Sequence, residues 1–355
     1  MDFFDYTGVI HFHSAYSFDG YVELNKIIEA AGRNNIDFLM LSDHGHLRAR
    51  DDGWEGWQGK TLLIVGQEIS PRFNHYLAFN ISRPIGCTED KAGSDPQQYI
   101  DQVNNSGGFG FIAHPDHEGT KTFHVKHYPW TDWSADGYTG IGIWDFMTDW
   151  QSCLQRYLPS FFSFLLPAFF LSGPRSITLN RWDTLNQKKK IVGIGELDNH
   201  ATVMKVGGIR FEALSFERAF KLIRTHVLTR EKLICNNERD IKIILESLHY
   251  GRCYVALEYF QPSRGFQFYI AQDNKEFFMG DTLTLSENTR LHVSLPAPAL
   301  IRIIRNGSLW NKERKKALML PVIEPGVYRV EAFLRVYGKY RHWIFSNPIF
   351  VFQAD

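Results

Sequence analysis

The stretch Gly8-Val9-Ile10-His11-Phe12-His13-Ser14, close to the N-terminus, decides the fold assignment. Its first residues suit a buried strand, and two histidines follow one residue apart. On an extended segment alternate side chains project from the same face, so both imidazoles can reach one cation. An His-x-His pair alone is a weak signal, because two such histidines can equally lie at a solvated strand edge.

Four later apolar runs also end next to residues that can bind metals. In chain order they are 38–41 before Asp43 and His44, 62–65 before Glu68, 109–113 before His114, and 191–194 before Asp198. Buried parallel strands have this apolar composition, and their C-terminal ends open at one edge of the sheet. Five strand ends directed at one mouth indicate a polynuclear metal site.

Segments with helical spacing alternate with these runs. Residues 22–34 carry apolar side chains at helical intervals, and Asp95 followed by Pro96 predicts a capped helix over 96–105. Further helices are predicted over 180–185, 215–226 and 239–250. Repeated strand and helix units of this kind are typical of a barrel of parallel strands.

The pattern changes after Val255. Short runs of β-forming residues follow, separated by turn signals such as Asn306-Gly307 and Pro325-Gly326. This region predicts a small all-β sandwich of about 95 residues, within the usual size of such domains. Its expected role is to support the barrel or to mediate self-association, so a homo-oligomer remains open.

The overall composition is that of an ordinary globular protein of 355 residues, with 44% hydrophobic and 22% charged residues. Lysine plus arginine and aspartate plus glutamate balance at 39 each, so neither nucleic acid nor a membrane surface is predicted as a partner. The four cysteines form no C-x-x-C motif, and the N-terminus lacks the features of a signal peptide. We therefore expect reduced thiols and a cytoplasmic location.

One apolar segment, residues 158–171, could suggest a membrane span. It is shorter than the roughly 20 residues that a spanning helix needs, and it contains Pro159 and Pro167. We therefore predict an apolar insertion at about 155–174 within the barrel, buried or facing the substrate.

Taken together and in order, the motifs resemble those of the PHP (polymerase and histidinol phosphatase) family. The motifs are His11-x-His13-Ser14, Ser17-Phe18-Asp19-Gly20, Ser42-Asp43-His44, Gly66-x-Glu68, His75, Ala113-His114-Pro115 and Asp198-x-His200. The likeness covers about residues 7–255 and is closest to free-standing metal-dependent hydrolases with a C-terminal β domain. The resemblance implies a distorted (β/α)7 barrel over 1–256, followed by a β-sandwich domain over 257–355.

The resemblance also implies a set of metal ligands. The first ion would take His11, His13, Glu68 and Asp198; the second would take Glu68 as a bridge with His75 and His114; a third would take Asp19, His44 and His200. Mixed imidazole and carboxylate ligands suit zinc, manganese or iron(II) better than calcium. Some family members have histidine where this chain has Asp19, so two or three ions are expected, and two are the safer prediction.

The sequence also suggests structural roles for other residues near these motifs. Asp43 is expected to accept a hydrogen bond that orients a ligand imidazole. Glu196-Leu197 stands where small residues are more usual in the family, and this pair could narrow the mouth without abolishing the site.

Paired ions lower the pKa of a bridging water and so make hydroxide available at neutral pH, which suits hydrolysis of a phosphoester. We therefore expect a metal-dependent phosphoesterase that acts on a small phosphorylated substrate. The residues expected to take part in catalysis are Glu68, Asp198, His200 and His46. His46 and His117 could assist proton transfer to the leaving group, although a loop histidine is more often solvated. Arg48, Arg72 and Lys121 are candidates for binding the phosphate.

Two other functions remain open from the sequence. The apolar insertion and Trp130, Trp133, Trp144 and Trp150 could favour an uncharged substrate, so the bond cleaved could be a carboxylic ester, carbamate or amide; core packing explains these tryptophans equally well. Alternatively, an inactive barrel could serve as a module that binds a glycan or a protein. The complete set of candidate ligands argues against this last reading.

Overall fold

A computed structural model describes residues 3–87, 89–90, 93–121, 125–154, 162–206, 209–212 and 214–353. The chain is a mixed α/β structure with two large sheets. The helices are α1 (Leu24–Arg33), α2 (Arg48–Asp51), α3 (Pro96–Asn105), α4 (Phe146–Cys153), α5 (Ser176–Asn186), α6 (Phe216–Ala219) and α7 (Asn237–Tyr250), with short helical turns at 162–165 and at Pro167–Phe169.

The strands fall into two groups along the chain. The first group is β1 (Phe4–Ile10), β2 (Phe38–Leu41), β3 (Gly56–Gln58), β4 (Thr61–Val65), β5 (Gln67–Ile69), β6 (Tyr76–Phe79), β7 (Glu89–Asp90), β8 (Gly93–Ser94), β9 (Phe109–Ile112), β10 (Gly140–Asp145), β11 (Val192–Glu196), β12 (Val203–Val206), β13 (Ile209–Glu212), β14 (Ile223–Thr229) and β15 (Cys253–Leu257). The second group is β16 (Gln267–Gln272), β17 (Lys275–Phe278), β18 (Thr282–Thr284), β19 (Arg290–Arg305), β20 (Ser308–Pro321), β21 (Gly326–Val336), β22 (Lys339–Ser346) and β23 (Ile349–Phe352).

The larger sheet contains 14 strands, and its N-terminal part has a parallel centre. Strand β2 pairs in parallel with both β1 and β4, whereas β14 pairs antiparallel with β1 and with β15. The second sheet has the order β11-β10-β9-β6-β5. Its strands β9, β10 and β11 are parallel, and β6 is antiparallel to both β5 and β9.

Backbone hydrogen bonds join the two sheets beyond the ends of their strands. The amide of Asp198 donates to the carbonyl of His11 at 2.7 Å, and the amide of His13 donates to the carbonyl of Asn199 at 3.1 Å. On the other side, His44 and Glu68 form an isolated parallel bridge. The candidate ligands that follow these strands are therefore collected at one edge.

Most of the predicted elements are confirmed. Apolar runs in the N-terminal half form buried strands, and α3 begins at Pro96 with the Asp95 carboxylate accepting a hydrogen bond from the Gln97 amide at 3.0 Å. The prediction of one helix over 215–226 is wrong. Helix α6 ends at Ala219, and β14 begins at Ile223, because the alternating Ile223, Thr225 and Val227 side chains fit a strand that completes its pairing with β1.

The C-terminal strands extend the larger sheet, because β22 pairs antiparallel with β15. They form an apolar core that includes Phe268, Ile301 and Trp343 and that also takes in residues of β14 and β15. The predicted runs at 291–295 and 301–304 belong to one long strand, β19, with an irregularity between Ser294 and Ala299. The α/β class is thus confirmed, whereas the seven-stranded barrel, the sandwich and the boundary at 256 stay predictions.

The predicted apolar insertion at about 155–174 is described from residue 162 onward, and residues 155–161 lie outside the described residues. Its described part contains the turn Pro167–Phe169, in which Pro167 and Ala168 are buried. Among the described residues, every helix is too short or too polar to cross a bilayer.

A buried polar cluster joins β1, β14 and β15. His226 is fully buried; its Nδ1 lies 2.7 Å from Asp5 Oδ1 and its Nε2 lies 3.3 Å from Glu258 Oε1. Burial acts to lower the pKa of His226, but the Asp5 and Glu258 carboxylates outweigh it and raise the pKa to about 9. The Tyr254 hydroxyl donates to the other Asp5 oxygen at 2.8 Å. The imidazolium therefore holds three strands together.

We predict that His226→Gln lowers the free energy of unfolding at pH 7 by about 3–5 kcal/mol, because it leaves buried carboxylates without their cation. Since the folded-state pKa of His226 is raised, its stabilisation is full below the unfolded pKa near 6.5 and is lost as the pH rises through about 9. The difference between the two proteins should shrink between pH 7 and pH 10 in urea titrations.

The matched control is His249→Gln, because His249 lies on the exposed end of α7 and burial alone lowers its pKa. Its effect should stay within about 0.5 kcal/mol, as for most surface substitutions. A difference between wild type and His226→Gln that stays constant across this pH range would contradict the proposed role of the imidazolium.

Candidate metal centre

Three groups of side chains converge at the joined edge of the sheets and could hold metal ions. They are His11, His13, Glu68 and Asp198; Glu68, His75 and His114; and His13, Asp19, His44 and His200. Within each group the ligand atoms lie within 4.8 Å of one another. The structure therefore brings together all nine residues predicted as ligands, in the same three sets, and adds His13 to the third.

Glu68 lies at the centre of the three groups and is 1% exposed. Its Oε2 atom lies 3.2 Å from Nε2 of both His11 and His13. Its Oε1 atom lies 2.7 Å from His75 Nδ1 and 3.4 Å from His114 Nε2. One carboxylate oxygen thus faces the first group and the other faces the second, which is the arrangement that a bridging ligand requires.

The third group lies nearer to solvent. Asp19 Oδ2 is 3.1 Å from His44 Nε2 and 3.2 Å from His200 Nε2. The His13 ring stacks between the other two imidazoles, with centroid distances of 4.4 Å to His44 and 4.2 Å to His200. Because the Asp19 side chain is 31% exposed, this group forms the open side of the centre.

Three of the candidate ligands have backbone conformations that non-glycine residues rarely adopt. The φ angles are 65° at His11, 28° at His114 and 49° at Asp198. Each of these residues directly follows a strand or lies two residues beyond one, so the turn redirects its side chain toward the centre. Such conformations cost of order 1–3 kcal/mol each and are concentrated at functional sites.

His75 reaches the centre from the opposite strand direction. It precedes β6, and β6 runs antiparallel to β9, so the start of β6 lies at the same edge as the end of β9. The adjacent Asn74 holds the backbone before β6 in place. Its side-chain oxygen accepts hydrogen bonds from the Thr131 amide at 2.6 Å and from the Thr131 hydroxyl at 3.0 Å. The Tyr99 hydroxyl donates to the Asn74 carbonyl.

Glu196 has a role that the sequence analysis missed. It is fully buried behind the ligands, so the expectation that it narrows the mouth is wrong. Its Oε1 lies 3.2 Å from His11 Nδ1, and its Oε2 accepts a hydrogen bond from the His114 amide at 2.8 Å. A Cβ atom at Gly142 would lie 1.6 Å from Glu196 Oε2, so glycine there makes room for the carboxylate. The sequence feature that could have indicated this role is an acidic residue at the end of β11, two positions before the candidate ligand Asp198.

Two serines, Ser14 and Ser70, support the segments that carry the ligands. Asp43 accepts hydrogen bonds from the Ser14 amide and hydroxyl, both at 2.7 Å, and so orients the backbone after His13 instead of an imidazole. Ser70 Oγ lies 2.8 Å from His44 Nδ1, which orients the His44 ring. Partners of this kind set the direction and basicity of ligand imidazoles.

The carboxylates and imidazoles of the centre shift one another's pKa values toward the charged forms. Burial acts to raise the pKa of Glu68 and of Asp198, but the surrounding imidazoles, above all His11, hold both carboxyl pKa values well below their usual range. Burial acts to lower the pKa of His114 and of His200, but nearby carboxylates raise both to about 9. The site therefore keeps its carboxylates ionised at neutral pH, as metal binding requires.

The donor set fits divalent metal ions. His13 is fully buried, and neither of its ring nitrogens has a partner in hydrogen-bonding geometry among the described residues. A buried imidazole in that state is costly unless something accepts its lone pair. Imidazole nitrogens and carboxylate oxygens in one pocket are the ligands of zinc, manganese and iron(II).

A cavity of about 400 Å³ opens over the three groups. Its walls include Arg72, Tyr128, His117 and Phe18. The Arg72 guanidinium lies 5.3 Å from the Tyr128 ring centroid and donates to the His127 carbonyl at 2.6 Å. The positively charged guanidinium of Arg72 is thus held at the wall of the cavity.

The other predicted site residues lie elsewhere. His46 Nε2 is 2.8 Å from the Tyr16 carbonyl oxygen, and Arg48 is exposed at the start of α2. Lys121 is exposed on a turn. Two cavities lie at this mouth, one over the ligands and one beside it. None of these three residues is among the described residues that line them.

His117 lines the cavity and is buried, unlike the solvated loop histidine that its sequence position suggested. Its Nδ1 accepts a hydrogen bond from the Tyr128 amide at 3.2 Å, which leaves Nε2 to donate to Gln151 Oε1 at 2.9 Å. Burial and the neighbouring His114 lower the pKa of His117 to about 4. It is therefore a neutral imidazole at physiological pH.

Comparison with known proteins gives a partial likeness only. No protein-family model and no curated protein matches the sequence. Seven solved chains match. One is a proposed metal-dependent phosphoesterase from Bifidobacterium adolescentis, 13% identical, with a TM-score of 0.34 over 58% of this chain and 92% of that one. A score this low does not establish a family, and the resemblance to the PHP family still rests on the motifs.

We predict that Glu196→Gln weakens binding of zinc or manganese by about 10–100-fold, the usual effect of removing a carboxylate behind a ligand imidazole. The amide keeps the volume beside Gly142 and can still accept from the His114 amide, but it no longer favours the His11 tautomer whose Nε2 is free to bind a metal. Competition with a chelator measures the affinity. Glu29→Gln, on the exposed face of α1, is the control and should bind like wild type; equal affinities for all three proteins would contradict the role of Glu196.

Proposed function

We propose that this chain is a metal-dependent phosphoesterase of PHP type that hydrolyses a small phosphorylated substrate. The observation that carries the proposal is Glu68, a fully buried carboxylate whose two oxygens face two separate groups of ligands. A bridged pair of sites with an open third group beside it suits hydrolysis of a phosphoester, in which charge develops on both the attacking and the leaving oxygen.

The proposed fold is a distorted seven-stranded barrel with a C-terminal β-sandwich. Support for the barrel comes from the bonds that link β1 to the segment after β11 and the end of β2 to β5, since these would close the two sheets into a ring. Support for the sandwich comes from the apolar core that the C-terminal strands form, with β14 and β15 along one side of it. We place the boundary between the two domains at residue 256.

The proposed ligands follow the three groups. His11, His13, Glu68 and Asp198 would hold the first ion, Glu68, His75 and His114 the second, and Asp19, His44 and His200 a third. Zinc, manganese and iron(II) suit this mixed set. When bound, such ions lower the pKa of water and neutralise charge on phosphoryl oxygens.

The chain's own side chains complete the site. Arg72, the cation at the cavity wall, would donate to a phosphoryl oxygen. Asp198 and His200 lie beside each other at the mouth, with His200 Nδ1 3.0 Å from the Asp198 carbonyl oxygen. When only the first two groups hold ions, the His200 ring would hold a proton on Nε2 near the leaving oxygen. His46 takes no part in this proposal because its ring is held by the Tyr16 carbonyl.

A second function has one observation in its favour. A largely apolar cavity adjoins the centre, and it would also accept the uncharged substrate of a carboxylic ester, carbamate or amide hydrolase. The same metal ions could polarise a carbonyl group. The choice between these reactions depends on the bond that the enzyme cleaves.

The test measures metal content and turnover together. We expect wild type to contain two or three equivalents of zinc, manganese or iron and to hydrolyse p-nitrophenyl phosphate faster than p-nitrophenyl acetate. Glu68→Gln should lose metal and lower phosphatase turnover by at least about 1,000-fold, because metal ions supply several kcal/mol of transition-state stabilisation. The control, Glu118→Gln, alters an exposed carboxylate that pairs with Arg175, and it should retain both.

Other outcomes would redirect the proposal. Faster hydrolysis of the acetate by the metal-loaded protein would favour the ester or amide hydrolase. Absence of metal and of turnover in wild type would contradict both enzymes and favour the inactive barrel that binds a glycan or a protein.

A further inference from the structure

A second cavity, of about 500 Å³, adjoins the cavity over the ligands, and we name it the aromatic cavity. Both cavities are lined by Asp19, His117, Tyr128, Asp198 and His200. The two cavities therefore adjoin beside the third group of ligands. A molecule whose reacting atom lies over the centre can extend into the aromatic cavity.

The walls that belong only to the aromatic cavity are mostly apolar. They include Met147, Trp150, Leu154, Phe164 and Leu214. The Trp150 and Phe164 rings meet edge to face, with centroids 4.9 Å apart and planes at 87°, and Trp150 stacks on Phe146 at 6.0 Å. These contacts hold the indole in one orientation, so it presents a fixed aromatic wall.

The distribution of charge differs between the two cavities. Among the described residues, the only acidic side chains along the aromatic cavity are Asp19 and Asp198, which belong to the ligand groups, and no lysine or arginine lines it. Arg72 lines the other cavity. Away from the ligand groups, a charged group in the aromatic cavity would lose its hydration and meet no charged partner among the described residues, whereas an apolar ring would gain from burial.

We propose that the aromatic cavity binds the leaving group of the substrate and that this group is an uncharged alcohol carrying a flat apolar ring. The inference rests on the proposed phosphoesterase function and specifies its substrate class as a phosphomonoester of a phenol or of another ring-bearing alcohol. In the reaction water adds to phosphorus, the ester P–O bond breaks, and the alcohol leaves with a proton while inorganic phosphate is released.

The volume and position of the cavity agree with this class. A space of about 500 Å³ lies within the range of small-molecule sites, and one or two fused rings fill such a space better than a short polyol does. The phosphoryl group would lie over the ligands, within reach of the Arg72 wall. The ring would then contact Trp150 and Phe164.

The test compares two phosphonates that the enzyme cannot hydrolyse, phenylphosphonate and methylphosphonate, by isothermal titration calorimetry on the metal-loaded protein. Both carry the same charged group, so their difference reports the ring alone. We expect wild type to bind phenylphosphonate at least about tenfold more tightly, from burial of one apolar ring.

Met147→Glu should reduce this preference to about twofold or less. Met147 is half-buried at the second position of α4, and a carboxylate in the first turn of a helix is favourable for folding, so the variant places a charge in the cavity without opposing the helix. Met147→Leu is the matched control and should keep the preference. A second variant, Tyr21→Ala, truncates a lining side chain that is 57% exposed, and it should lower the preference by a smaller factor while the fold is retained.

The outcomes separate this inference from the function on which it rests. Equal binding of the two phosphonates by wild type, or a preference unaffected by Met147→Glu and Tyr21→Ala, would overturn the aromatic leaving group and leave the phosphoesterase intact. Absence of binding of either phosphonate to protein that has retained its metal would overturn both.

Discussion

The buried carboxylate of Glu68 is the constraint on which the rest of the site depends. An ionised carboxylate removed from water is costly unless cations or strong donors surround it. Here five imidazoles lie within 3.4 Å of its two oxygens, those of His11, His13, His44, His75 and His114. The arrangement is stable only with positive charge at the centre, and protons on the imidazoles or divalent ions can each supply it.

The fold delivers these side chains through strand ends whose backbones turn sharply. The positive φ angles of His11, His114 and Asp198 redirect each chain after a buried strand, and hydrogen bonds between the two sheets keep the turns in place. Glu196 then links two of these turns, because its carboxylate contacts the His11 ring and the His114 amide. The strain of the turns and the burial of Glu196 are thus both compensated within the centre.

Much of this site could be predicted from the sequence, because apolar runs that end in histidine or acidic residues have a simple physical reading. The grouping of the ligands into three sets came from the resemblance to the PHP family. The sequence did not predict Glu196, because an acidic residue at the end of a strand gives no sign of its direction until Gly142 is seen to leave room for it. The sequence also assigned His46 to catalysis, since a local pattern cannot show that the Tyr16 carbonyl holds its ring. The error over 215–226 has a similar origin, because pairing with β1 outweighs local helical spacing.

The most direct test of the central claim is anomalous diffraction from crystals of the wild-type protein grown with manganese or zinc. The account predicts strong anomalous peaks on both sides of the Glu68 carboxylate, one among His11, His13 and Asp198 and one beside His75 and His114. A weaker peak near Asp19 would mark the third group. Ordered metal elsewhere on the protein, with no peak within bonding distance of Glu68, would contradict the account.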